Sequence, residues 1–492
     1  MDLDVYGYSE KALNPLQRSA VSGFKWSSIS QFGKQGLQLL TLVILARLLK
    51  PSDFGLVSMA TIVIGFGALF KDLGTSAAVI QRKILSEELL SSIYWINIVF
   101  GFFVTVTIYL ISPLVADFFQ ETRVEPLLQV LSLTFFISGL SILQQAILER
   151  ELAFSKLAKV EIIAALIGSF VGISSAMLGY GAWSLVYQTL AVALVTTVLL
   201  WTASSWRPKL FFHWKEVKAI SSYSLNLTGY NTFNYLVRNT DYLLIGKFLG
   251  ARNLGYYTLA YQIMLYPLQS ISAVIGRVMF PVYSTIQDDI ARFRNAYLKV
   301  AGAIALVTFP MMFGLWALVE PFVLTVFGLH WKAVIVLLII LAPVGMIQSI
   351  GTTVGAIYQA KGRTDWLFRW GIIAGTLMMV GFIIGLQRGI VGVAAAYAIV
   401  SIGLAYPNFA IPFRLIDLPI RQLGGVLWRP FVACMTMFAG IVILKKILPS
   451  DLAGKWVLAL LVPAGGLIYL ATNWYMNREQ VMEVISIARG QS

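Results

Sequence analysis

Charge, histidine and cysteine are all scarce in this chain, and each scarcity removes a class of function. Only 12% of the 492 residues are charged, two are histidine and one is cysteine. A lone Cys434 permits no intrachain disulfide. His213 and His330 stand apart from each other and from any cysteine, so no metal-ligand cluster is expected. No GxxxxGK(S/T) phosphate loop is present, which excludes an ATP motor of that type. No long polar segment remains to hold an enzyme domain. Glu149 and Glu151, with Arg150 between them, occupy a short loop and read as a solvated charge cluster, not a catalytic pair. The first 18 residues are polar and lack the apolar core of a cleavable signal peptide.

What the chain has in abundance is apolar length. Hydrophobic residues make up 58% of it and fall in long blocks almost free of charge. A span needs about 20 apolar residues, and about fourteen such segments can be marked. The expected fold is an all-α polytopic membrane protein. Lys and Arg concentrate in alternate loops, which predicts both termini inside the cell and a multi-pass protein of the bacterial cytoplasmic membrane. The net charge of +14 is then an orientation signal, and no nucleic-acid partner is expected.

An internal repeat divides the chain. Residues 46–60 (ARLLKPSDFGLVSMA) align with 246–260 (GKFLGARNLGYYTLA), with Leu49, Gly55 and Ala60 recurring as Leu249, Gly255 and Ala260. The predicted layout is a cytoplasmic lead at 1–20, a six-span N-lobe at 21–203, and a cytoplasmic linker at 204–218 acting as a hinge. A six-span C-lobe at 219–412 follows, then two spans and a cytoplasmic tail at 413–492 as an unmatched appendix. An even number of spans between copies leaves them in the same orientation, as in transporters with parallel repeats.

Two polar stripes lie in register at that offset. Gln31, Lys34, Gln38 and Thr41 share one face of the first span; Asn231, Asn234, Arg238 and Asp241 share one face of the seventh. A cation near the bilayer centre costs roughly 2.5–3.5 kcal/mol on insertion scales, so it marks a cavity or a pathway. Lys34 has no acidic neighbour in its own span, whereas Arg238 is expected to pair with Asp241. Midplane cations suit an anionic cargo, and phosphate oxygens above all. Tyr256, Tyr257 and Tyr261, with Tyr94 and Trp95, offer flat amphipathic faces for stacking on sugar rings. The alternative at each polar position is interhelical hydrogen bonding alone.

The segments SGFKWSSISQF, ILARLLKPSDFGLVSMA, FKDLGTSAAVIQRK, SSIYWINIVFG, AILERELAFSKLAKVE, IGKFLGARNLGYYTLAYQ and YQAKGRTD, in that order, resemble the Wzx-type polysaccharide flippases of the multidrug/oligosaccharidyl-lipid/polysaccharide exporter superfamily, and most of all the colanic-acid exporter branch. The likeness covers most of the chain and loosens after about residue 415. It implies two six-helix lobes in a V around a central cavity, with two further C-terminal helices. It also implies a transporter, not an enzyme, with no cofactor, which carries undecaprenyl-pyrophosphate-linked oligosaccharide repeat units across the bilayer by alternating access. Lys34 and Arg238, with Arg47 at the outer end of the first span, are the positions that match the family's diphosphate-receiving cations. Gln31, Gln38, Asn231 and Asn234 would line the cavity. Asp241 is the candidate for coupling to a proton or sodium gradient, and polymerase and chain-length proteins are candidate partners. A peptidoglycan-precursor flippase, a small-molecule antiporter and a non-transporting scaffold are the competing readings.

Overall fold

Apolar segments deprived of water must satisfy their own backbone hydrogen bonds, and helices do so within one segment. In the computed structural model every regular element among the described residues is a helix. Those residues are 15–70, 75–81, 85–213, 232, 234–449, 453–478 and 480–482. Ten of the described helices are long and apolar enough to cross a membrane, or eleven if a pair bent by 44° counts as one span. The expected fourteen is not reached by that measure. The chain divides into two compact units, Met1–Leu49 with Leu56–Leu236, and Lys50–Gly55 with Val237–Ser492.

The first unit contains α1 (Pro15–Leu48), α2 (Pro51–Ala68) from Leu56 on, α3 (Thr75–Gln81), α4 (Glu87–Phe119), α5 (Val124–Gly139), α6 (Ile142–Arg150), α7 (Phe154–Met177) and α8 (Trp183–Ala203). The main packing runs α4 on α5, α5 on α8, α8 on α7 and α7 on α1. Helix α4 shows how the termini and interior are satisfied. Its start is capped by Ser86, whose Oγ accepts the Leu89 N–H at 3.1 Å, and Glu87 and Glu88 favour the positive end of the dipole. It stops at Gln120, which turns left-handed at φ 54°. Within it, Pro113 has no N–H to give the Tyr109 carbonyl, and the Ser112 hydroxyl donates there instead at 2.7 Å.

In the segment after α8, read from sequence as a hinge over 204–218, the described residues 204–213 are bonded to α4. Lys209 N–H donates to Ser91 Oγ at 3.1 Å, His213 N–H donates to Ser92 Oγ at 2.9 Å, and Trp95 Nε1–H donates to the Lys209 carbonyl at 3.0 Å. Lys209 Nζ lies 3.6 Å from Glu87. Residues 204–213 are thus strapped to the start of α4 by bonds between residues more than 100 positions apart; 214–218 lie outside the described residues. Tyr94 is buried against Trp95, Trp201 and Trp206, which leaves its ring no open face for a sugar, while Trp95 is half-buried and bonds the strap.

The second unit contains α9 (Thr240–Thr285), α10 (Ile290–Ala317), α11 (Val319–Val326), α12 (Ala333–Gly351), α13 (Val354–Ala360), α14 (Thr364–Leu386), α15 (Gly389–Phe413), α16 (Ile420–Ile447) and α17 (Gly454–Met476). Gly250, at φ 79° and ψ 173°, breaks α9 into two helices, a conformation that glycine adopts at little cost. The last two helices share one core with α10: Phe309 and Phe313 pack in the same cluster as Ala433, Cys434, Met437, Leu461 and Tyr469. Pro310 leaves the Leu306 carbonyl without its helical donor, and Tyr469 of α17 supplies an O–H at 2.8 Å.

The sequence repeat has a structural counterpart here. A Cβ built on Gly55 would lie 1.7 Å from the carbonyl oxygen of Ala251, and one built on Gly255 would lie 1.7 Å from that of Pro51. These are one contact with its partners exchanged across the 200-residue offset, the pattern a local twofold axis produces. Only glycine fits either place, which accounts for an identity that survives where most of the repeat has diverged.

Candidate functional site

In the first unit the α1 stripe separates into packing and open positions. Thr41 is buried and donates to Ser169 Oγ on α7 at 2.8 Å, so it joins helices. Gln31 is half-buried, while Gln38 and, near the C-terminal end of α1, Arg47 are exposed. Lys34 is half-exposed, and its Nζ lies 3.9 Å from Glu161 Oε2 of α7. The sequence holds no sign of that partner, because Glu161 is more than 120 residues away. Counting 1.5 Å per residue, Lys34 sits about 20 Å from the C-terminal end of α1, and Glu161 about 10 Å from the start of α7.

In the second unit Asn234 and Arg238 are exposed, and Asn231 lies outside the described residues. The expected Arg238–Asp241 pair is absent among the described residues. Asp241 is 2% exposed and accepts from the Tyr257 hydroxyl at 2.8 Å and from the Tyr242 N–H at 2.9 Å. The geometric reason is burial: the carboxylate turns into the helix packing while the guanidinium three residues earlier stays out. Tyr257 stacks on Tyr261 with ring centroids 5.9 Å apart, and the Tyr261 and Tyr397 hydroxyls are 3.2 Å apart. Gln348 donates its side-chain N–H to the Tyr397 hydroxyl. A buried carboxylate is thereby joined to polar groups of α9, α12 and α15.

The tyrosines expected to stack on sugars have other work. Tyr257 is fully buried, and its ring meets Tyr242 and Tyr261. Tyr256 is buried with its ring edge-on to Trp331 and its hydroxyl accepting from Arg252 Nε at 3.1 Å. Tyr261 alone of the three keeps partial exposure. Glu161, Gln348 and Tyr397 are the polar groups that sequence reasoning missed; each is recruited from a distant helix, and no local spacing announces it.

Ten membrane-length helices among the described residues define a polytopic helical membrane protein, with an accessible cation on α1 in one unit and a buried carboxylate on α9 in the other. Comparison with known proteins then places it: residues 44–336 match the model of a family described as polysaccharide biosynthesis protein, and the chain belongs to that family. It is 32% identical over 469 residues to the teichuronic acid biosynthesis protein TuaB of Bacillus subtilis (strain 168), covering 92% of this chain and 95% of that one. It is 30% identical over 420 residues to the lipopolysaccharide biosynthesis protein WzxC of Escherichia coli (strain K12), covering 85% of each. Among solved structures, the lipid II flippase MurJ in an inward closed conformation superposes with a TM-score of 0.73, over 92% of this chain and 99% of that one. At 16% identity this last likeness is one of fold.

Proposed function

We propose that this protein is a flippase for lipid-linked oligosaccharides, moving undecaprenyl-pyrophosphate-linked repeat units from the inner to the outer leaflet of the bacterial cytoplasmic membrane. The polymer made from them would be an exopolysaccharide, a capsule or an O-antigen. The observation that carries the reading is Lys34, an ammonium held half-exposed on the 34-residue helix α1 of a chain from a polysaccharide-biosynthesis family. An accessible cation inside a membrane favours a cargo whose head is anionic, and a diphosphate is such a head. A transporter of cationic drugs would need the opposite sign.

In this reading the head of the cargo leaves the inner headgroup region for Lys34 while its prenyl tail stays in lipid, with Arg238 and Arg47 as further cations along the way. Transport proceeds by alternating access, and binding drives the change only through its differential affinity for the two states. Asp241 is the coupling group: a carboxylate met among the described residues by the neutral donors of Tyr257 and Tyr242 gains from a proton or a sodium ion. Both termini face the cytoplasm, and polymerase and chain-length proteins receive the product outside.

The test is mass spectrometry of lipid-linked oligosaccharides in the source bacterium, comparing wild type, a deletion, and the deletion carrying Lys34→Gln with Arg238→Gln. Accumulation of an undecaprenyl-pyrophosphate repeat unit with loss of surface polymer in both mutant strains is the expected result. An unchanged pool in the deletion overturns the substrate class. Arrest of cell-wall growth with accumulation of the peptidoglycan precursor would assign that cargo instead.

A further inference from the structure

Helix α16 has two unlike sides. Counted at about 100° per residue, its buried Leu423, Pro430, Ala433, Cys434 and Met437 fall together, on the side that packs against α10 and α17. The opposite side carries Phe431, Met435 and Ile443, all large, apolar and exposed. On a membrane-length helix that side faces lipid. At the start of the helix the same side changes character. Arg421, Gly424, Gly425, Trp428 and Arg429 lie there within an arc of about 140°. All five are exposed, Trp428 by 56%. Neither arginine has an ion-pair or hydrogen-bond partner among the described residues. A Cβ built on Gly424 or Gly425 meets no heavy atom within 4 Å, so the surface framed by Arg421, Trp428 and Arg429 is open to an incoming group. Helical side chains lean toward the N-terminus of their helix, so Arg429 covers the turn that holds Gly425 and reaches back toward Arg421. An unpaired cation beside lipid is costly, and a ligand that brings an anion removes the cost.

We propose that the start of α16 is a binding site for an anionic phospholipid, whose phosphodiester lies over Gly424 and Gly425 between the guanidinium groups of Arg421 and Arg429. Its acyl chains run along Met435 and Ile443. The occupant is a membrane phospholipid because the two cations stand at the head of a lipid-facing apolar stripe, where one molecule meets both with its head and its tails. Guanidinium suits that head better than ammonium would, since its planar fork takes two phosphate oxygens at once. Trp428 belongs at the level where headgroups meet acyl chains, which amphipathic indoles favour. A zwitterionic phospholipid carries its own ammonium beside the phosphate and gains less from the arginines. The site belongs to the second unit, whereas Lys34 belongs to the first, and it holds its lipid whatever the cargo.

The experiment is native mass spectrometry of the full-length protein in detergent, titrated with dioleoyl phosphatidylglycerol and separately with dioleoyl phosphatidylcholine. Wild type should hold phosphatidylglycerol the more tightly of the two. Arg421→Gln and Arg429→Gln should each weaken phosphatidylglycerol binding about fivefold, and the two together about thirtyfold, with phosphatidylcholine binding unchanged. Arg388→Gln, at the exposed N-cap of α15, should change neither. Gly425→Leu keeps both cations but fills the open surface, and should weaken phosphatidylglycerol binding about as much as the loss of one arginine. It carries the test if the arginine variants cannot be purified, and a general attraction to basic charge would not register that leucine. If phosphatidylcholine binds as tightly as phosphatidylglycerol, or if the double arginine variant or Gly425→Leu keeps wild-type affinity, the site is refuted. Undecaprenyl pyrophosphate added at equal concentration should leave the phosphatidylglycerol bound. Its displacement would give the arginines to the cargo and overturn the phospholipid assignment.

Discussion

Replacing Gly55 by alanine asks whether the symmetric crossing in the second unit is as tight as its geometry states. The new Cβ would lie 1.7 Å from the Ala251 carbonyl oxygen, 2.5 Å from its carbon and 2.9 Å from its Cα. Ordinary contact begins near 3.4 Å, so the backbones must part by well over an ångström. All three obstacles are main chain, so no rotamer change relieves them. Overpacking costs about 1–3 kcal/mol where side chains can adjust, and a backbone clash belongs at the upper end, about 3 kcal/mol. Gly255→Ala meets the Pro51 carbonyl oxygen at the same 1.7 Å and should cost the same. Separating the helices for one alanine makes room for the other, so the double variant should cost clearly less than the sum of the singles. Gly425→Ala, on α16 with nothing within 4 Å of its Cβ, is the control and should be neutral or stabilising by up to about 1 kcal/mol. The assay is thermal unfolding of purified protein in detergent, with surface-polymer complementation beside it. A Gly55→Ala variant within about 0.5 kcal/mol of wild type, or strict additivity in the double, would refute the close symmetric contact.

Four further outcomes are expected. Tyr257→Phe removes a donor from the buried Asp241 carboxylate and should destabilise the protein by about 1.5–3 kcal/mol, whereas Asp241→Asn should make flipping in vesicles insensitive to proton and sodium gradients; retained gradient dependence in Asp241→Asn would remove that residue from coupling. Trp95→Phe deletes the bond to the Lys209 carbonyl, and the strap at 204–213 should become several-fold more sensitive to limited proteolysis, by a change of about 1 kcal/mol in local opening. Between α4 and α5, Arg123 donates twice to Glu121 at 2.8 Å and holds its carboxyl below the usual glutamate value. A depressed folded value means the contribution is present above the unfolded pKa and is lost as pH falls through the folded one. The melting temperature should therefore drop slightly on the acid side of pH 4.5, and Arg123→Gln should abolish that small step, which for so exposed a pair is worth a few tenths of a kcal/mol.

The sequence by itself determined the helical membrane class, the family likeness, the repeat and the position of Lys34. Each of those rests on one-dimensional information: block lengths, loop charges, motif order, and a helical period that places Lys34 and Thr41 on one face. Tertiary structure decided what the polar groups do. Thr41 turned out to bond Ser169, Asp241 turned away from Arg238 toward Tyr257, and Tyr94 and Trp95 were taken up by the strap after α8. Lys34 gained Glu161 from a helix more than 120 residues on. A helical wheel states which side chains share a face, but not which neighbouring helix covers that face, and for a charged or hydroxyl group in an apolar span the covering helix sets the partner, the exposure and hence the chemistry.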